Sequence, residues 1–288
     1  MDEREYRVRY GIVMSNLDDY ADPRQAVSLA RAAEEAGWEG FFVWDHLGFV
    51  WGAPSCDPWG VLSAIAVSTT RLKLGTAITP LARRRPHIVA NTLASLDLLS
   101  GGRVIFGAGL GGVAKEFTAF GEPGDAKVRA RMLDEGLTVV DGLWSGEPLT
   151  HHGQHYDVEN VSLAPLQRPR IPIWIGGEGA PALRRAARWD GWLAPATSPD
   201  GMAKDPERIA EMIAEIQHHR RADTPFDVAV DGYSDPGDPA LPRAYEAAGA
   251  TWWLESIHGM RGSVEETMAR VEAGPPEEGG DDASDSRR

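Results

Sequence analysis

The chain has 288 residues, 29 of them Lys or Arg against 43 Asp or Glu, for a formal net charge of −14. That acidic balance excludes binding to nucleic acid or to an anionic membrane through clustered basic residues. The single cysteine, Cys56, excludes an internal disulfide and a multi-cysteine zinc site. No apolar run reaches the roughly 20 residues that cross a bilayer. The opening MDEREYRVRY lacks the apolar stretch of a signal peptide, so the expectation is a soluble, cytoplasmic protein.

Short apolar runs alternate with longer segments of helical period. Residues 8–14 (VRYGIVM) read as a buried strand and 23–37 as an amphipathic helix closed by Gly37. A second strand at 40–46 precedes a helix at 57–69, and a third at 72–79 precedes a helix from Pro86 to the Ser-Gly-Gly at 100–102. The fourth strand, 103–109, runs into a Gly-rich loop and a helix at 129–144. There the period breaks: 145–172 is rich in Pro, Gly and His, and reads as an excursion with a short hairpin and as a candidate lid. The alternation resumes with strands at 171–177, 191–196, 226–232 and 250–256, each followed by a helix, at 180–189, 205–220, 239–249 and 263–274. Eight β-then-α units fit an α/β fold of the (β/α)8 TIM barrel type with an insertion before strand 5, formed by residues 1–274. An open doubly wound sheet has the same linear order, and the count of eight favours the barrel. The tail 275–288 is acidic and nearly devoid of apolar residues, the composition of a disordered segment.

In a barrel, function collects where strands end. Asp45 and His46 close the second strand, where a histidine can move a proton near neutral pH or simply be satisfied by its neighbours. Gly107 to Gly112 match G-x-G-x-x-G, but after the fourth strand and without a helix that starts cleanly behind it. A turn that lets a ligand approach Gly109 and Gly111 is the better reading than a dinucleotide fingerprint. Gly176, Gly177, Glu178 and Gly179 close the fifth strand and open a helix, as phosphate-binding turns do. Arg83, Arg84 and Arg85 follow the third strand and form either a solvated basic loop or a site for an anionic ligand tail. Trp51, in the loop after His46, is placed to stack on a planar ring. His151, His152 and His155 lack a convergent carboxylate pair, so no metal site is expected.

Several segments together resemble the luciferase-like flavin and deazaflavin oxidoreductases: AEEAGWEGFFVWDHL (33–47), RLKLGTAITPLARRRP (71–86), LASLDLLSGGRVIFGAGLGGVAKEFTAFG (93–121), RMLDEGLTVVDGLWSGEPLTHHGQHY (131–156) and PLQRPRIPIWIGGEGAPALRRAARWDGW (165–192). The resemblance covers nearly the whole chain apart from the tail and weakens after Trp192. It implies a TIM barrel with an insertion near the fifth strand, and FMN or coenzyme F420 bound at the strand C-termini. It implies that Asp45 and His46 face the ring and substrate. Ala77 and Ile78, with Thr76 beside them, fall where deazaflavin members carry a non-proline cis peptide, and Gly176 and Gly177 where they bind phosphate. The loop after the fourth strand departs from the family, offering Leu110, Gly111, Gly112 and Val113 where an aromatic or polar side chain is common. The implied activity is oxidation or reduction of a small organic substrate by an oxidoreductase or monooxygenase. With FMN this implies a separate flavin reductase as partner, and in either case a homodimer. A non-catalytic flavin-binding barrel and a nicotinamide-dependent dehydrogenase are the competing readings.

Overall fold

The computed structural model describes residues 7–163, 170–198 and 201–276. Eight parallel strands close on themselves: β1 (Arg9–Met14), β2 (Gly40–Val43), β3 (Lys73–Thr76), β4 (Val104–Gly109), β5 (Ile173–Gly176), β6 (Gly191–Ala194), β7 (Asp227–Gly232) and β8 (Trp252–Ile257). The ring closes through Leu74 opposite Val104 between β3 and β4, and through Arg9 opposite Trp252 between β1 and β8. Closure removes the doubly wound alternative. Around it stand α1 (Pro23–Glu35), α2 (Pro58–Ser68), α3 (Pro86–Ser100), α4 (Ala126–Leu143), α5 (Ala180–Ala186), α6 (Pro206–His219), α7 (Ala240–Ala247) and α8 (Val264–Glu272). Among the described residues no helix is long and apolar enough to cross a membrane.

Local chemistry explains the boundaries. Three helices open on Asp-Pro: the carboxylates of Asp22, Asp57 and Asp205 accept backbone N–H groups of α1, α2 and α6, and the following proline needs no donor partner. Ser263 and Glu266 form a capping box on α8. The strands are apolar on both faces because each face is covered. Val13, Phe42, Ile105, Trp174, Leu193, Ala229, Trp252 and Leu254 point inward and fill the barrel. Their neighbours Ile12, Phe41, Val43, Val104, Phe106 and Trp253 point outward against the helices. Inside, Phe42 stacks on Trp174 at 5.3 Å and meets Trp252 edge-on at 6.0 Å.

The excursion contains an antiparallel hairpin, Leu149–His152 with Asp157–Val161. It is tied to α4 by the Glu135 carboxylate, which accepts the backbone N–H groups of His155 (3.1 Å) and Tyr156 (2.7 Å). Together with the segment 82–87 and Glu122 it borders a cavity of about 430 Å³. Residues 164–169 of the excursion, and all of the predicted acidic tail beyond 276, lie outside the described residues.

Candidate active site at the barrel mouth

The end of β2 carries Trp44, Asp45 and His46 out of the sheet. Asn16, fully buried after β1, holds the His46 backbone from both sides: its amide oxygen accepts the His46 N–H (3.1 Å) and its amide nitrogen donates to the His46 carbonyl (2.9 Å). On the other side of the ring, Nδ1 lies 2.8 Å from Oε1 of Glu116, in a one-turn helix, Lys115–Thr118, beyond β4. The same oxygen accepts the Leu47 N–H at 2.9 Å, and the other oxygen accepts from Arg83.

Burial alone would raise the Glu116 carboxyl. The His46 hydrogen bond, the Leu47 N–H and the charges of His46 and Arg83 outweigh it and hold the group below the usual carboxylate range. Glu116 is therefore an acceptor only. Its contact with His46 requires the proton to sit on Nδ1, which leaves Nε2 of a neutral imidazole as a proton acceptor. Trp44 and Trp51 meet the imidazole edge-on, at 5.8 and 5.3 Å.

Asp45 takes no part in that pair. Its side chain is buried, and it receives Arg83 (2.9 Å) and a two-pronged contact from Arg84 (3.0 and 2.8 Å). The sequence placed Arg83, Arg84 and Arg85 together as a solvated loop or an anion site, and the structure separates them. All three border the hairpin-side cavity, but Arg83 and Arg84 are neutralised by Asp45, Glu116 and Asp57, while Arg85 is exposed.

Beside the His46 cluster lies a cavity of about 530 Å³. Val13, Ile78, Leu110, Leu193 and Leu254 give it apolar walls, and Gly111, Gly112, Gly176 and Gly177 expose backbone on them. The Ala77–Ile78 peptide is cis. Ile78 seats against two glycines: a Cβ on Gly109 would stand 2.5 Å from its Cδ1, and one on Gly176 2.8 Å from its Cγ2. The 176–179 turn is pinned by Trp192, whose Nε1 donates to the Gly177 carbonyl at 2.7 Å. Of the residues singled out in the sequence, Ala77, Ile78, Gly111, Gly176, Gly177 and Glu178 line this cavity, and His46 and Trp51 adjoin each other at its edge through Trp44. Gly109 is buried behind Ile78, and Gly179 is exposed as the N-cap of α5. Thr76 is buried, donating to the Gly107 carbonyl at 2.8 Å. No hairpin residue lines the cavity.

Glu116, Asn16, Trp44 and Asp231 were missed in the sequence. Asp231, at the end of β7, lines the cavity and accepts the Ala196 N–H and the Thr197 hydroxyl, both at 2.6 Å. Burial pushes its carboxyl up against those bonds. The strand-end rule marks Asp231, but Glu116 lies four residues beyond the end of the Gly-rich turn at Gly112, where only the folded loop brings it to His46.

The cavity suits a flavin-type ring, which is apolar on both faces and polar along one edge: it has apolar walls, a glycine-exposed backbone and two carboxylates, Glu178 and Asp231. The turn after β4 leads into Lys115–Thr118 and not into a long helix, and the sheet is closed, so the dinucleotide-fingerprint reading of residues 107–112 has no structural context.

Comparison with known proteins gives a family model, luciferase-like monooxygenase, that matches residues 9–271. An F420-dependent glucose-6-phosphate dehydrogenase of Microbacterium testaceum is 32% identical over 72% of this chain, which spans about 60% of that protein's length. Among solved structures, an F420-dependent secondary alcohol dehydrogenase in complex with an F420–acetone adduct superposes with a TM-score of 0.76 at 20% identity, covering 94% of this chain and 98% of that one. The oxygenating constituent of 3,6-diketocamphane monooxygenase from Pseudomonas putida, in complex with FMN, gives 0.63 at 19% identity, covering 78% and 67%.

Proposed function

The chain belongs to the luciferase-like monooxygenase family, and we propose that within it the protein is an oxidoreductase that uses coenzyme F420 and transfers hydride to or from a small organic substrate. The observation that carries this reading is His46 with Nδ1 fixed on the Glu116 carboxylate. Hydride transfer at a carbon bearing oxygen needs a partner that takes or returns the proton on that oxygen, and Nε2 of this imidazole is such a partner. Bound F420 supplies a ring that accepts or gives two electrons as hydride. The protein supplies the rest. Ile78, Leu193 and Leu254 would hold the ring between apolar side chains, the 176–179 turn would offer backbone donors to the cofactor's phosphate, and Asp231 would offer a polar contact. Glu116 and Arg83 keep His46 in one tautomer and one orientation.

The same reading makes the protein a cytoplasmic homodimer. Exposed Val67 on α2 and Ile88, Leu98 and Leu99 on α3 are the apolar surface that pairing would bury. A separate flavin reductase belongs only with FMN. Parallel fluorescence titrations of the purified protein with F420 and with FMN test the reading. F420 is expected to saturate at a concentration at least about tenfold lower than FMN, roughly 1.4 kcal/mol of preference. Selective FMN binding would replace hydride transfer by oxygen chemistry, and binding of neither would remove the cofactor from the site.

A further inference from the structure

The reading above leaves the substrate open, and the rim of the mouth narrows it. We infer that the site takes an uncharged, apolar carbonyl compound or its alcohol, and that Phe49 and Phe120 with Trp51 set this preference; the inference rests on the oxidoreductase reading and deepens it.

Phe49, Trp51 and Phe120 are 41, 52 and 63% exposed, large apolar side chains left in water on the two segments that follow His46 and its partner Glu116. They come from two segments, Gly48–Trp51 and the turn after Lys115–Thr118. Glu116 joins these segments by accepting from both His46 and Leu47. The result is a shelf: Phe49 and Phe120 pack edge to face at 5.4 Å, and Trp51 stands edge-on to His46. A shelf held by a buried carboxylate keeps its shape without a ligand, which lowers the ordering cost of binding.

Charge points the same way. Among the described residues the only charged side chains on the cavity wall are Glu178 and Asp231, and no Lys or Arg lines it. The cations nearby are engaged: Lys204 with Glu178 (2.6 Å) and the Pro195 carbonyl (2.5 Å), Arg261 with Glu255 (2.7 Å), and Arg83 and Arg84 with Asp45. With the backbone donors of the 176–179 turn taken by the cofactor, a substrate phosphate dianion brought to the remaining wall loses its water without gaining a cation, in a chain of net charge −14. A phosphorylated sugar, the substrate in the name of the Microbacterium relative, is therefore disfavoured. Beside Glu116, Lys115 is exposed and makes no ion pair among the described residues, so it is the side chain through which a phosphate would have to be held.

Calorimetric titration of the F420-loaded protein with acetophenone and with glucose 6-phosphate decides the matter, repeated on cofactor-free protein. Acetophenone is expected to bind at least about tenfold more tightly than glucose 6-phosphate. Phe49→Ser and Phe120→Ser should each weaken acetophenone binding about fivefold, the effect of removing part of an apolar contact, with F420 affinity unchanged. In turnover of the corresponding alcohol the loss should appear in KM and not in kcat. Val161→Ser, an equally exposed apolar residue on the hairpin, should change neither. Tighter binding of glucose 6-phosphate, above all if Lys115→Ala abolishes it, overturns the inference. So does undetectable acetophenone binding, or acetophenone affinity that the two serine variants leave unmoved. Failure of F420 to bind would instead strike the functional reading, and the cofactor-free titration would still report on the rim.

Discussion

Arg103, at the N-terminal end of the barrel, and Arg83, at the mouth, are both buried, and their partners differ in kind. Arg103 donates five hydrogen bonds, to the carbonyls of Ala66, Thr69, Leu72 and Ser100 and to the Thr69 hydroxyl, and none of them goes to a carboxylate. It closes the C-terminal ends of α2 and α3 onto β3, satisfying carbonyls that a helix end leaves open. Arg83 meets two carboxylates, Asp45 and Glu116, and one of those is also the partner of His46. One guanidinium binds fixed dipoles and holds the fold shut. The other balances charges whose position decides the state of a titratable ring. The difference teaches where chemistry can sit: a buried cation among neutral acceptors has nothing to pass on, whereas one that shares a carboxylate with a histidine is part of a proton-handling unit.

The largest expected effect breaks the mouth unit. His46→Ala should lower kcat by about 10² to 10⁴-fold, the range for loss of a general acid or base, while F420 titrates as in the parent. Glu116→Gln keeps the size of the side chain but can offer only one acceptor oxygen. It should lower kcat by about tenfold, because the imidazole is then free to turn or to change tautomer. Steady-state rates beside cofactor titrations check both. An unchanged kcat in His46→Ala would reduce the barrel to a binding protein.

At the other end the expected effect is on stability alone. Arg103→Met removes five hydrogen bonds and leaves the carbonyls buried, which should cost about 3 kcal/mol, read as a lower urea midpoint with the slope unchanged. Rates per folded molecule should stay at the parent level. A variant that lost kcat without losing stability would erase the contrast between the two arginines.

What was legible in the sequence follows the same division. The eight units could be counted because strands covered on both faces read as unbroken apolar runs, and because Asp-Pro and Ser-Gly-Gly mark helix starts and stops. Gly101 and Gly102, at φ 69° and 84°, turn the chain so that Arg103 enters the floor. Asp45 and His46 were legible as a strand end, and the Gly176–Gly179 turn as a strand-to-helix junction. Their partners were not. Asn16 and Glu116 stand 30 and 70 residues from His46 in sequence and meet it only when the ring closes. Arg83 to Arg85 looked like free positive charge because nothing in a linear sequence shows that Asp45 and Glu116 fold over the first two. Asp45, expected to face the ring and substrate beside His46, instead serves the arginines.

The smallest effect sharpens the comparison by pH. His258, buried at the end of β8, stacks on Trp44 at 5.6 Å and shares a hydrogen bond of 3.0 Å with the Tyr233 hydroxyl. Its Nδ1 has no partner among the described residues. Burial, and then the nearby charge of Arg261, press its pKa below the ordinary 6.5. The unfolded chain therefore takes up a proton there before the folded one does, and stability falls as the pH drops from 6.5 toward the lowered folded value. Above that window the group contributes in full. Unfolding free energies measured at about pH 7.5 and about pH 5.5 should differ by about 1 kcal/mol more in the parent than in His258→Gln, close to the value of one proton over one pH unit. Arg103→Met should keep the parent's slope, since nothing that binds Arg103 titrates. An equal slope in parent and His258→Gln would mean that the mouth responds to acid through its carboxylates instead, with Glu116, held below the usual range, losing its contribution only at still lower pH.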